Sequence, residues 1–136
     1  EEDLSPGWLM DQCQPAQVAY VQTTPHRSPL AVSTHVTRFA SGALENCATR
    51  YADRAGPIPQ VTPDSLQDWA ESHQLDQIVT SYLPVGPTKN ALKGHDLAQI
   101  MRPYDTAAWP HATHGFFRFK EQIPKLLARL RGIEAV

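Results

Sequence analysis

The sequence predicts a single α/β domain of the three-layer α/β/α, Rossmann-like kind, with a mostly parallel sheet of about four or five strands. Three observations carry that expectation. Short β-prone runs alternate with helical patterns along most of the chain. Prolines and glycines punctuate the joins between them. Strand and helix in alternation call for a parallel sheet with helices on both faces.

Residues 1–16 are polar and broken by Pro6, Gly7 and Pro15. They read as an irregular lead-in with a short turn at Trp8-Leu9-Met10, and residues 17–136 read as the domain. Val18-Ala19-Tyr20-Val21 is a short apolar run bounded by Pro15 and by Thr24-Pro25, as a buried strand would be. After a loop from Pro25 to Pro29, Ser33 or Thr34 can cap a helix. Val36, Phe39, Ala40, Ala43, Leu44, Cys47, Ala48 and Tyr51 then recur at helical spacing, with polar residues opposite, until Gly56. Cys47 on that stripe reads as a small core residue rather than a reactive thiol.

Ile58 to Val61 is the second predicted strand. Thr62 is placed to cap the next helix, with Pro63 at its first position and Asp64 in its first turn. Leu66, Trp69, Ala70 and His73 mark its buried stripe; Trp69 reads as core and His73 as an edge residue. Ile78-Val79-Thr80 is the third strand, Thr88 to Lys93 a short helix ended by Gly94, and Leu97 to Met101 the fourth strand. From Arg102 to Phe119 the pattern is lost, and a long aromatic loop is expected. A closing helix from about Glu121 carries Ile123, Leu126, Leu127 and Leu130 on one face, with Arg129 and Arg131 at its C-terminal end.

Composition limits the function classes. The chain has 136 residues, 41% hydrophobic and 19% charged, enough apolar content for one folded domain. Its net charge of −2 and pI near 6.3 argue against direct DNA binding driven by bulk charge. No apolar run approaches the ~18 residues that span a bilayer. Cys13 and Cys47 have neither metal nor redox spacing, and a reducing cytoplasm is the expected setting. The first residue is Glu1, as in a chain that is processed, trimmed or part of something longer.

In an open parallel sheet, ligands bind beyond the carboxyl ends of the strands. That rule selects three loops: Thr23 to Pro29, Ser81 to Lys89 and Arg102 to Lys120. In the middle loop, Tyr82, Gly86, Thr88 and Lys89 are the candidate ligand residues. Gly86 permits close backbone approach, and Thr88 and Lys89 open a short helix that favours an anion, but the Gly-rich spacing of a phosphate loop is absent. A plain structural turn fits the same residues. In the last loop the candidates are Trp109, His111, His114, Phe116, Phe117, Arg118 and Lys120. His111 and His114 lack a third and fourth ligand at telling spacing, so no metal is expected. Asp105, His95 and His26 are unconstrained as partners. The aromatics beside Arg118 and Lys120 suit stacking on a planar ring, or an interface. No Gly-x-Ser-x-Gly elbow, diagnostic acid pair or Cys-His arrangement points to catalysis.

Three stretches resemble the N-terminal α/β, antenna-type domain of the DNA photolyase and cryptochrome family, in a truncated or stand-alone version. They are Val18-Ala19-Tyr20-Val21 with the helix from Val36 to Ala55 and Gly56-Pro57-Ile58; Leu66-Gln67-Asp68-Trp69-Ala70-Glu71 leading to Gln77-Ile78-Val79-Thr80; and Gly115-Phe116-Phe117-Arg118-Phe119-Lys120. The resemblance covers roughly residues 17–125 as topology and pattern. The family's first strand, with its aromatic-arginine-aspartate signature, has no counterpart, and neither has its helical flavin-binding domain. The resemblance therefore implies an accessory domain related to flavin-dependent, light-driven DNA repair, non-catalytic alone. It implies a bound chromophore or nucleotide, with flavin, pterin or nucleotide as the cofactors, or packing on a flavin-binding helical domain or protein. A generic small nucleotide- or phosphate-binding α/β protein, and an enzyme with an active site not identified, are the alternatives.

Overall fold

The computed structural model describes residues 2–130. They fall into two compact units, Glu1–Ile100 and Met101–Val136.

In the first unit the lead-in is helical where a turn was expected. Helix α1, Gly7–Cys13, follows Pro6 and ends at Gln14, whose left-handed backbone (φ 45°) turns the chain toward the first strand. The segment is fastened to helix α2, Thr34–Ala55. Arg50 Nη2 and Cys47 Sγ both donate to the Leu4 carbonyl, at 2.9 and 3.4 Å. Gly7 lies so close to Tyr51 that a Cβ there would meet the ring at 3.2 Å. The exposed Arg54–Asp11 pair adds little, as solvated ion pairs do.

Helix α2 has the boundaries its sequence dictates. Ser33 caps it, its hydroxyl accepting the His35 N–H at 3.3 Å. Gly56 ends it at φ 71°, a conformation that suits glycine. Its expected apolar stripe is buried only in the middle. Leu44 and Cys47 are buried, whereas Val36 and Phe39 are exposed, Phe39 at 80%. Helical spacing identifies a face but not how much of its length is covered.

The strands correct the predicted fold class. Strand β1, Tyr20–Val21, pairs in parallel with β2, Gln60–Val61, in the register Tyr20↔Gln60 and Val21↔Val61. Strand β3, Ile78–Ser81, pairs in parallel with β4, Leu97–Ile100, from Ile78↔Leu97 to Ser81↔Ile100. These are two separate two-stranded sheets, not one Rossmann-like sheet of four or five strands, and the described residues are mostly helical. Proline is one physical reason. Pro57 and Pro59 have no N–H for a ladder, which confines β2 to two residues. A 3₁₀ turn over Thr24–Arg27, with Pro25 near its start, stops β1 equally soon. Parallel order nevertheless survives locally, because each pair is joined by a helix-bearing crossover, α2 in one and α4, Pro87–Ala91, in the other.

Helix α3, Leu66–Ser72, begins later than Thr62-Pro63 suggested. The Thr62 hydroxyl instead accepts the Ser65 N–H at 3.2 Å and closes a turn ahead of the helix. Its Leu66 joins Val61, Leu83 and Leu92 in the main core cluster, against which Ala19, Val21, Trp69, Ile78 and Leu97 pack. Both strand pairs thus share one core although their backbones are not bonded to each other.

In the second unit the expected loop is helical. Helix α5, Pro103–Ala108, starts on a proline at its first position; a 3₁₀ segment, Trp109–His114, and helix α6, Gly115–Lys120, follow. Gly115 (φ 72°) makes the turn between the last two. The stretch has no 3.6-residue apolar period because little of it is buried, so periodicity gave no signal. Helix α7, Ile123–Leu130, replaces the predicted start near Glu121; Leu127 on its apolar face is exposed. Arg131 lies outside the described residues.

Candidate functional site

The gap between the two strand pairs is a cavity of about 530 Å³, lined by residues 18–21 of the β1 segment and by all of β3. Met10, Leu44, Tyr51 and Leu97 give it apolar walls from α1, α2 and β4. Its size lies within the ~300–1,000 Å³ of small-molecule sites. β1 and β3, which both line it, belong to separate sheets.

Two polar features mark this cavity. Trp69, on α3, lines it, and its indole Nε1–H is buried without a hydrogen-bond partner. A buried donor left unmade costs about 1–3 kcal/mol. The second feature is a chain of hydroxyls. Thr88 Oγ1 donates to Glu2 Oε1 at 2.6 Å and lies 2.7 Å from Thr23 Oγ1. The Thr88 hydroxyl has one proton and gives it to the carboxylate, so Thr23 is the donor to Thr88. Thr23 is fully buried, and Thr88 nearly so. Glu2 and Thr88 both line the cavity.

Burial raises the Cys47 thiol above its usual pKa, with Asp3 adding to the effect and Arg50 opposing it. Burial, with the Glu45 charge second, likewise raises the Tyr20 phenol. Both side chains belong to the cavity wall and carry no charge near neutral pH.

The predicted site residues divide between the units. Tyr82, Gly86, Thr88 and Lys89 are in the first, and of these only Thr88 lines the cavity. Lys89 Nζ sits 5.8 Å from the centre of the Tyr82 ring, a cation–π contact. Gly86 directly precedes α4 and has open space around it. Trp109, His111, His114, Phe116, Phe117, Arg118 and Lys120 are in the second unit, all exposed. Phe116 and Phe117 meet edge to face at 5.9 Å. His111 and His114 share the 3₁₀ segment, and no group of metal-ligating side chains occurs among the described residues. Glu2 carried no signal in the sequence. Trp69 was legible as core, but its missing partner is a property of the folded chain.

No protein-family model matches the chain, and neither a curated protein nor a solved structure is significantly similar to it. Among the described residues no helix is long and apolar enough to cross a membrane.

Proposed function

We propose that the chain is a non-catalytic accessory domain of the photolyase and cryptochrome kind that holds a planar chromophore in the cavity between its two strand pairs. The observation that carries the reading is the unpartnered, buried indole N–H of Trp69 in the wall of an apolar cavity of about 530 Å³. A conjugated ring with heteroatom acceptors satisfies both features at once. Its apolar faces pack on the walls, and one acceptor takes the N–H. Flavins and pterins are of this class, and so are the bases of nucleotides. A flavin-binding helical domain or protein in the cytoplasm is the partner that the resemblance in residues 17–125 implies.

The test is reconstitution. Purified protein is incubated with riboflavin, a reduced folate or adenosine and then freed of unbound ligand. Retained visible or near-ultraviolet absorbance, with quenching of tryptophan emission that Trp69→Phe diminishes, supports the reading. Protein that retains none of the three, and whose melting temperature none of them shifts, overturns it.

A further inference from the structure

We infer that the cavity takes a ligand bearing a carboxylate, anchored on the Thr88 hydroxyl in the place now held by the carboxylate of Glu2; this rests on the reading of the cavity as a ligand site.

Thr88 Oγ1 is a preset donor. Its proton points to Glu2 Oε1 at 2.6 Å, and the Thr23 hydroxyl, fully buried behind it, donates to its oxygen at 2.7 Å. Such a chain polarises its terminal O–H toward a negative acceptor. A hydroxyl-to-carboxylate bond is charge-assisted and stronger than a neutral one. Thr23 follows β1 and Thr88 lies in α4, both held by the fold, whereas Glu2 is an exposed residue outside any helix or strand. Glu2 therefore leaves its position at low cost. The other carboxylates on the cavity wall are those of Asp3 and Asp76, and Asp3 is already engaged by the Ser5 N–H and by Trp8 Nε1, both at 2.8 Å. When a ligand carboxylate displaces Glu2, one anion replaces another on the Thr88 hydroxyl, and Glu2 turns to solvent. Thr88 and the Trp69 N–H, both of residues that line the cavity, then define the ligand class: an aromatic carboxylate with a second acceptor on or near its ring.

The probes are 2-naphthoate and its neutral counterpart 2-naphthamide, titrated against the whole chain by tryptophan fluorescence and calorimetry. Glu2→Ala is expected to bind naphthoate about tenfold more tightly than the wild type does, the size of one charge-assisted bond, with a smaller gain for naphthamide, whose carbonyl accepts from Thr88 without charge. The control Asp64→Ala, which removes an exposed charge outside the cavity wall, leaves both affinities unchanged. In the Glu2→Ala background, Thr88→Ser keeps the preference for naphthoate and Thr88→Val loses it. If both probes bind but Glu2→Ala shows no gain for naphthoate, the anchor is wrong and the cavity reading stands. If neither probe binds any variant, the cavity reading has failed and the anchor fails with it. The Glu2→Ala comparison decides the matter even if Thr88→Val does not fold.

Discussion

Thr23 and Thr88 stand sixty-five positions apart in the chain, yet their hydroxyl oxygens meet at 2.7 Å with almost no exposure to water. The bond joins the end of the β1 segment to the first turn of α4, so it ties one strand pair to the crossover of the other. Because both groups are desolvated, losing either is expensive. Thr23→Val and Thr88→Val should each lower stability by about 1–3 kcal/mol. The double variant should lose less than the sum of the two, because they share one interaction. Urea denaturation of the four proteins measures the coupling, and additive losses would show the contact to be energetically idle.

The orphan indole makes an opposite forecast. Trp69→Phe removes a buried N–H that has no acceptor, together with part of a ring. The gain from the first offsets the loss from the second, and stability should change by less than about 1 kcal/mol. Leu83→Ala, in the same core and only 3% exposed, should cost about 2–5 kcal/mol. Denaturation midpoints compare the two directly.

Gln74 holds a left-handed backbone (φ 55°) just past the end of α3, where the Leu75 N–H reaches back to the Ala70 carbonyl at 3.0 Å. Glycine is the residue this helix-ending geometry favours. Gln74→Gly should therefore stabilise the protein, by up to about 1 kcal/mol. A lowered melting temperature would mean that the side chain makes a contact worth more than the backbone relief.

Cys47 keeps its proton to a higher pH in the folded chain than in the unfolded one, because burial disfavours the thiolate. As pH rises through the ordinary thiol value, the unfolded state ionises first and binds fewer protons than the native state. Stability from this group is therefore present at lower pH and lost above that value. Urea midpoints followed into the alkaline range should fall more steeply for the wild type than for Cys47→Ala. At pH 8 a thiol reagent should modify the half-buried Cys13 well before Cys47.

Local signals in the sequence were read well where one residue type decides the outcome. Ser33 and Gly56 bound α2, and the four strands sit within the short apolar runs between turn residues, although α4 starts on Pro87, one residue before the expected Thr88, and ends at Ala91 rather than Lys93. What failed was inference from local pattern to extent. Four apolar residues at Val18–Val21 yielded a strand of two, and a stripe running from Val36 to Tyr51 buried only Leu44 and Cys47 in full. Whether two strand pairs merge into one sheet is decided by tertiary packing, to which period and propensity are blind. The candidate site shows the same division. The position rule picked the loops holding Thr23 and Thr88, but the Glu2 carboxylate and the unsatisfied Trp69 N–H depend on contacts between residues distant in the chain.

The separation of the two sheets also sets an order of events as the chain folds. Tyr20 must find Gln60 across forty residues, whereas Ile78 finds Leu97 across nineteen. Closing the longer loop costs about 0.7 kcal/mol more in chain entropy, and it yields a ladder of two residues rather than four. The β3–β4 pair is thus expected to form first, with β1–β2 condensing on it afterwards. Val79→Ala should slow refolding, and Val21→Ala should chiefly hasten unfolding, a contrast that stopped-flow chevron plots resolve.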